Sequence, residues 1–385
     1  MTKASQFAGY AARVRGFIQD DMAGSPPSPA SDFEGVFSRL ALDLFALQFA
    51  CNPSYRKLCD ARAVSPDTVR DWCEIPAVPT NAFKEFDLTS LPPSKRIAVF
   101  HSSGTTEQRP SRHFHDAESL ALYKVSLLSW FQCHLLPETA VGADVAPSAD
   151  NKAVVLSLTP NPHLAPHSSL VHMFETIRST FGSPDSTFVG KLDQSAAWDI
   201  DLAGLEKALS SARSSERPVL LLGTAFNFVR LLDDVASVDT ELPPGSSVLE
   251  TGGYKGRSRA MPKTELHQLI AQRFGVSPSS IVTEYGMSEL SSQAYDWIAG
   301  GSHLAGRVQR VFQFPPWARA QVVSPESGRE VSEGETGLLR VFDLANVRSV
   351  LAVQTEDLAV RRGNGFELLG RAVHAEPRGC SLMSV

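Results

Sequence analysis

From residue 153 to residue 369 the chain alternates short apolar runs with stretches of helical period, and this restricts the fold more than any other feature. Strands are predicted over 153–158, 219–222, 248–251 and 281–285, with helices over 202–211, 225–235 and 263–274 between them. Further strand-like runs at 321–323, 338–342, 350–353 and 366–369 follow at close spacing, so an added antiparallel portion is expected. The pattern predicts an α/β fold with a central sheet flanked by helices. A chain of 385 residues is long enough to bury a large core.

The N-terminal part reads differently. A helix is predicted over 1–20, and the run AGSPPSPAS at 23–31 is a connector too rich in proline and serine for regular structure, so 1–31 is taken as a leader. Phe33, Val36, Phe37, Leu40, Leu44 and Leu47 recur at helical spacing behind a Ser31 or Asp32 cap. Four prolines between 76 and 93 predict an extended entry into the main domain, and 120–136 is again helical. The expected division is therefore leader 1–31, helical region 32–99, core 100–370 and tail 371–385.

A net charge of −6 with no basic run argues against nucleic acid as a partner. No apolar stretch reaches the roughly 18 residues of a membrane span, and no signal-peptide core precedes the first charges. A cytoplasmic protein without membrane insertion is expected. Cysteines at 51, 59, 73, 133 and 380 form neither a CxxC pair nor a zinc spacing, so no disulfide framework or structural metal is predicted. Four have apolar or helical contexts, whereas Cys380 lies in a short polar run near the end.

Candidate chemistry begins at HSSGTTEQRPSR, residues 101–112. Ser102, Ser103, Gly104, Thr105 and Thr106 combine hydroxyls, backbone amides and a glycine, the makings of a phosphate-gripping loop, though a plain surface turn uses the same residues. Gly252 and Gly253, followed by Tyr254 and Lys255, end the strand at 248 and offer bare backbone to a flat ligand. In Glu284, Tyr285, Gly286, Met287, Ser288, Glu289 the tyrosine can stack on a purine, the serine can reach a phosphate and Glu289 can hold Mg²⁺. Thr355, Glu356, Asp357 read as a turn whose carboxylate can accept ribose hydroxyls, and Gly370, Arg371 as a hinge or phosphate contact.

In this order the clusters resemble the adenylate-forming superfamily of acyl-CoA synthetases and adenylation domains. The resemblance implies that Ser102 to Thr106 grip the ATP phosphates, Gly252 and Gly253 flank the adenine and acyl pocket, Tyr285 stacks on adenine, Ser288 meets the α-phosphate, Glu289 holds Mg²⁺ and Asp357 binds the ribose. It departs after Thr106, where Glu107, Gln108, Arg109 and Pro110 replace the usual Gly and Pro-Lys, so Arg109 or Arg112 must stand in for the lysine. It also implies the large N-terminal domain of that fold without the mobile C-terminal domain.

The sequence is most similar to the LuxE-like acyl-protein synthetases of the bacterial luminescence fatty-acid reductase complex, in Asn52 to Arg56, Val78 with Pro79, Pro110 to His113, Ser168 to Met173, Gly223 to Phe226 and Arg378 to Leu382. This implies ATP-dependent activation of a carboxylic acid, of fatty type, followed by transfer to Cys380. His163, His167 and His172 fall where the superfamily places a gate beside the acid, with Met287 and Gly253 as further substrate contacts and Arg371 as a catalytic contact. An acyl-accepting reductase or carrier protein is the implied partner. Transfer to coenzyme A or an amine, or a degenerate ATP-binding scaffold, remain the alternatives.

Overall fold

A computed structural model of the chain describes residues 2–22, 33–102, 109–136, 152–194, 197–234, 240–252, 261–301 and 310–372. Helices α1 (Lys3–Met22), α2 (Phe33–Cys51) and α3 (Pro53–Ala61) lead to strand β1 (Val78–Pro79) and the short α4 (Ala82–Glu85). The hairpin strands β2 (Ala98–His101) and β3 (Arg112–His115) precede α5 (Ala117–Leu135), β4 (Val154–Ser157), α6 (Ser169–Phe181), β5 (Thr187–Phe188), β6 (Gly190–Leu192) and β7 (Trp198–Ile200). Then come α7 (Leu202–Ser214), β8 (Val219–Thr224), α8 (Ala225–Asp234), β9 (Ser247–Thr251), α9 (Lys263–Phe274), β10 (Ile281–Tyr285) and β11 (Ala294–Tyr295). The last strands are β12 (Ala318–Val323), β13 (Thr336–Asp343), β14 (Ala352–Arg362) and β15 (Gly365–Arg371).

The expected α/β architecture is present. A six-stranded sheet runs β11-β10-β9-β8-β4-β5, parallel except where β11 meets β10. Its apolar strands alternate between two helical layers, as side chains of period two must. Val219, Leu221, Val248 and Ile281 pack with α7, α8 and α9, whereas Leu220, Leu222, Leu249 and Val282 pack with α5 and α6. Burying both faces leaves ligands the carboxyl edge of the sheet.

The antiparallel portion is β12, β13, β14 and β15, and β1 joins β14 in parallel to complete a five-stranded sheet. Three helices, α3, the short α4 and α6, lie where the sequence predicts none. For α3, Asn52 caps the start by accepting from the Tyr55 amide at 3.2 Å, ahead of Pro53 at the first turn. For α6, Ser168 Oγ accepts from the Val171 amide at 3.2 Å.

Five expectations change. The 1–20 helix is part of the core: Phe7, Tyr10, Val14 and Ile18 are buried in the cluster that holds Leu44, Val341 and Phe342. The 76–93 entry contains β1, paired with β14, and a helical turn. Thr355 to Asp357 lie inside β14, which starts two residues later than expected and runs on to Arg362. The polar side chains are absorbed by a register shift in β13, where Thr355 Oγ1 and Gln354 Nε2 donate to the Leu339 carbonyl. Gly370 and Arg371 likewise sit within β15. The 99/100 boundary cuts through β2, and one core joins both sides of it.

Candidate active site

The hydroxyl-rich loop is the crown of the β2–β3 hairpin. Ser102 and Ser111 close its neck, with the Ser111 amide donating to Ser102 Oγ at 3.0 Å. Ser103, Gly104, Thr105 and Thr106 lie outside the described residues, as do Gly253, Lys255 and Cys380. Arg112 is committed to the hairpin base, 2.8 Å from Asp87, which Arg96 also holds at 2.7 Å. Arg109 is exposed beside the crown and makes none of these ion pairs.

Beyond that neck, Tyr285, Asp357 and Arg371 are joined by direct contacts, and Glu289 lies within electrostatic reach of Arg371. Glu289 is buried, and burial pushes its carboxyl up while Ser111, Arg371 and Lys84 pull it back. The guanidinium of Arg371 in β15 stands 3.7 Å from Asp357, its cross-strand partner in β14. Asp357 accepts from the Tyr285 hydroxyl at 2.8 Å. The Tyr285 ring is met edge-on by Phe314 and Phe366, which fixes its plane. Gly252, in the left-handed region at φ 68°, turns the chain away immediately after β9.

The loop carrying Met287, Ser288 and Glu289 is gripped from below by residues the motif reading missed. Asp343 accepts from the Ser291 and Ser292 amides, each at 2.8 Å, from Ser292 Oγ at 2.8 Å and from the Ala345 amide at 2.9 Å. Asn346 Nδ2 donates to the Glu289 carbonyl at 2.8 Å and its Oδ1 accepts from Ser291 Oγ at 2.7 Å. Gln48 on α2 ties this turn to the helical region, donating to the Asn346 carbonyl at 2.8 Å. Their only sequence signal is polar side chains within apolar surroundings.

His113 clamps the same loop from the hairpin. Its Nδ1–H donates to the Ser288 carbonyl at 2.7 Å, and burial lowers its pKa to about 4, so the ring is neutral at pH 7. His172 joins this layer, 5.1 Å from the Phe100 ring and 5.5 Å from that of Tyr123. His167 stands on the hairpin edge, 4.7 Å from His101. His163 is exposed, in a turn where its amide donates to Asn161.

Glu284, just before Tyr285, accepts from Thr251 Oγ1, and burial raises its pKa from 4.5 to about 7. Its stabilising contribution is thus full below pH 4.5 and lost as pH rises through 7. Glu284→Gln should remove that dependence. Denaturant titrations are expected to show wild-type stability falling relative to the variant by about 2 kcal/mol between pH 5 and pH 8. Parallel curves for the two proteins would contradict it.

One buried carboxylate suits Mg²⁺, which dehydrates reluctantly and is held by one or two carboxylates together with substrate phosphates and water. Glu289, at the base of the hairpin crown, is such a group, and among the described residues no three His, Cys, Asp or Glu gather into a cluster that could hold a metal by themselves. Nor, among the described residues, is any helix long and apolar enough to cross a membrane.

Known proteins match this architecture. A crystal structure of 2-hydroxyisobutyryl-CoA ligase in an open conformation, in complex with 2-HIB-AMP and CoA, superposes with a TM-score of 0.61 at 11% identity, covering 90% of this chain and 74% of that one. The same ligase in its thioesterification state gives 0.63 at 12% identity, covering 89% and 69%. These likenesses establish the fold as that of adenylate-forming enzymes. Two relatives are named long-chain-fatty-acid–luciferin-component ligase. The one from Vibrio harveyi is 22% identical over 358 residues, covering 90% of this chain and 86% of its own. The one from Aliivibrio fischeri is 20% identical over 361 residues, covering 90% and 87%. A family model described as acyl-protein synthetase, LuxE, matches residues 28–384, and the chain therefore belongs to that family.

Proposed function

We propose that the chain uses ATP to convert an aliphatic carboxylic acid into its acyl-adenylate and passes the acyl group to the thiol of Cys380. The observation that carries this reading is the grouping of Tyr285, Asp357 and Arg371 at one edge of the sheet, with the buried Glu289 carboxyl within electrostatic reach of Arg371, in a member of this family. In the first step a carboxylate oxygen attacks the α-phosphorus and the bond to pyrophosphate breaks. In the second the thiolate sulfur attacks the acyl carbon and AMP leaves.

Each group has a proposed task. Ser102, Ser103, Gly104, Thr105, Thr106 and Arg109 donate to the leaving phosphates, Ser288 and Arg371 to the α-phosphate. Tyr285, with Gly252, Gly253 and Gly286, seats the adenine, and Asp357 accepts from the ribose. Met287 and His172, with His163, border the acid. Glu289 would hold Mg²⁺, which, when bound, offsets charge gathering on the phosphates. His113 and Asn346 keep Ser288 and Glu289 in place through their carbonyls. A thiol is a strong nucleophile even when a few per cent ionised, and tethering it to the same chain makes attack effectively unimolecular. An acyl-accepting reductase or carrier protein would then take the group from Cys380.

Two assays on Cys380→Ala separate the steps. Acid-dependent exchange of pyrophosphate into ATP is expected to persist within about twofold of wild type, because an activated carboxyl forms without the thiol. Labelling of the protein by radioactive acid plus ATP is expected to vanish. Labelling that survives in the variant would assign the acceptor elsewhere.

A further inference from the structure

The carboxyl edge of the main sheet carries a set of polar groups that the nucleotide roles leave unused. On the face covered by α5 and α6, each strand changes character at its end: Leu222 is followed on that face by Thr224, Leu249 by Thr251 and Val282 by Glu284. Register sets these in a row, Thr224 beside Thr251, Thr251 beside Glu284, and Glu284 opposite Tyr295 of β11.

The facing helices answer with polar groups of their own. Tyr123 of α5 accepts from Gln293 Nε2 at 3.4 Å, and His172 of α6 lies against the Tyr123 ring. Tyr295, 1% exposed, holds a buried hydroxyl with no hydrogen-bond partner among the described residues. An unmade bond of this kind costs about 1–3 kcal/mol, which phenylalanine would avoid. Gly252 and Gly286, both exposed, follow Thr251 and Tyr285 and open the row toward the nucleotide turns. A side chain at Gly286 would displace the Glu284 carboxyl, which its Cβ would meet.

An acid that reaches Tyr285 and Gly252 from this face therefore meets the Tyr295 phenol, which a plain hydrocarbon chain would leave unsatisfied, beside the Thr251 hydroxyl and Glu284 carboxyl that bond each other. We infer that the acid carries a hydroxyl group on its acyl part, and that the row ending in Thr251, Glu284 and Tyr295 binds it. This rests on the adenylation reading above and names the substrate class of that same site. Sites built to hydrogen-bond a substrate hydroxyl reject the analogue lacking it far more strongly than apolar pockets reject an extra methylene.

The test compares acid-dependent pyrophosphate exchange for straight-chain alkanoic acids with their 2-, 3- and 4-hydroxy counterparts of equal length. A hydroxy acid is expected to exceed its parent in kcat/KM by at least about 100-fold. Tyr295→Phe, which breaks no bond of the fold, and Thr251→Val are each expected to narrow that ratio at least tenfold, mainly by lowering kcat/KM for the hydroxy acid. A wild-type preference for the unsubstituted acids, or a ratio that Tyr295→Phe leaves unaltered, overturns the inference while leaving adenylation intact. Exchange with no acid of either set overturns the adenylation reading and this one with it.

Discussion

Glu289→Gln is expected to lower acid-dependent pyrophosphate exchange by roughly 10²–10³-fold, the scale on which a single preorganised electrostatic contact to a developing charge is felt. The substitution keeps the shape of the side chain and removes its charge. Its backbone stays anchored, since the Asn346 amide still donates to the residue's carbonyl and His113 to that of Ser288. The lost charge is the counterpart of Arg371 and Lys84 and the proposed holder of Mg²⁺, so the defect belongs to phosphate chemistry. A titration of exchange rate against Mg²⁺ gives the specific readout: the variant should need a higher concentration for half-maximal rate. Wild-type exchange in Glu289→Gln would remove this residue from the metal and from the reaction.

Asp343→Ala carries the largest expected loss of stability, about 3–5 kcal/mol in a denaturant titration, because three buried amides and a hydroxyl lose their acceptor at once. Burial raises the pKa of this carboxyl, and the hydrogen bonds from Ser292, Ser291 and Ala345 oppose that rise. Those bonds tie the loop of Ser288 and Glu289 to β13, which is paired on both sides, with β12 and β14. Asp343→Asn, which keeps one acceptor oxygen, should lose less than half as much. Equal and small losses in both variants would mean that the loop is held without Asp343.

Both effects involve residues that a linear reading treats unequally. Glu289 stands in a recognisable cluster, and the strands at 248–251 and 281–285 end within one residue of their expected limits because β-branched and apolar runs buried on both faces leave a strong trace. Asp343, Asn346 and Gln48 carry no motif signal, and His113 enters only as one residue of a resemblance, since each acts through a backbone carbonyl or amide of a residue distant in sequence. Nothing local marks such a partner. The same holds for α1, whose leader-like position gave no hint that Phe7 and Tyr10 are buried against the second half of the chain.

The order of the five clusters along the chain, the α/β class and the family were decided by sequence alone, because turn glycines, hydroxyls and carboxylates at strand ends are local requirements of backbone and ligand chemistry. Tertiary structure decided the rest. It made Asp357 the partner of Tyr285 and Arg371, committed Arg112 to Asp87, and aligned Thr251, Glu284 and Tyr295 in one row. These depend on sheet register and strand order, which pair residues far apart in the chain and which no short stretch can encode.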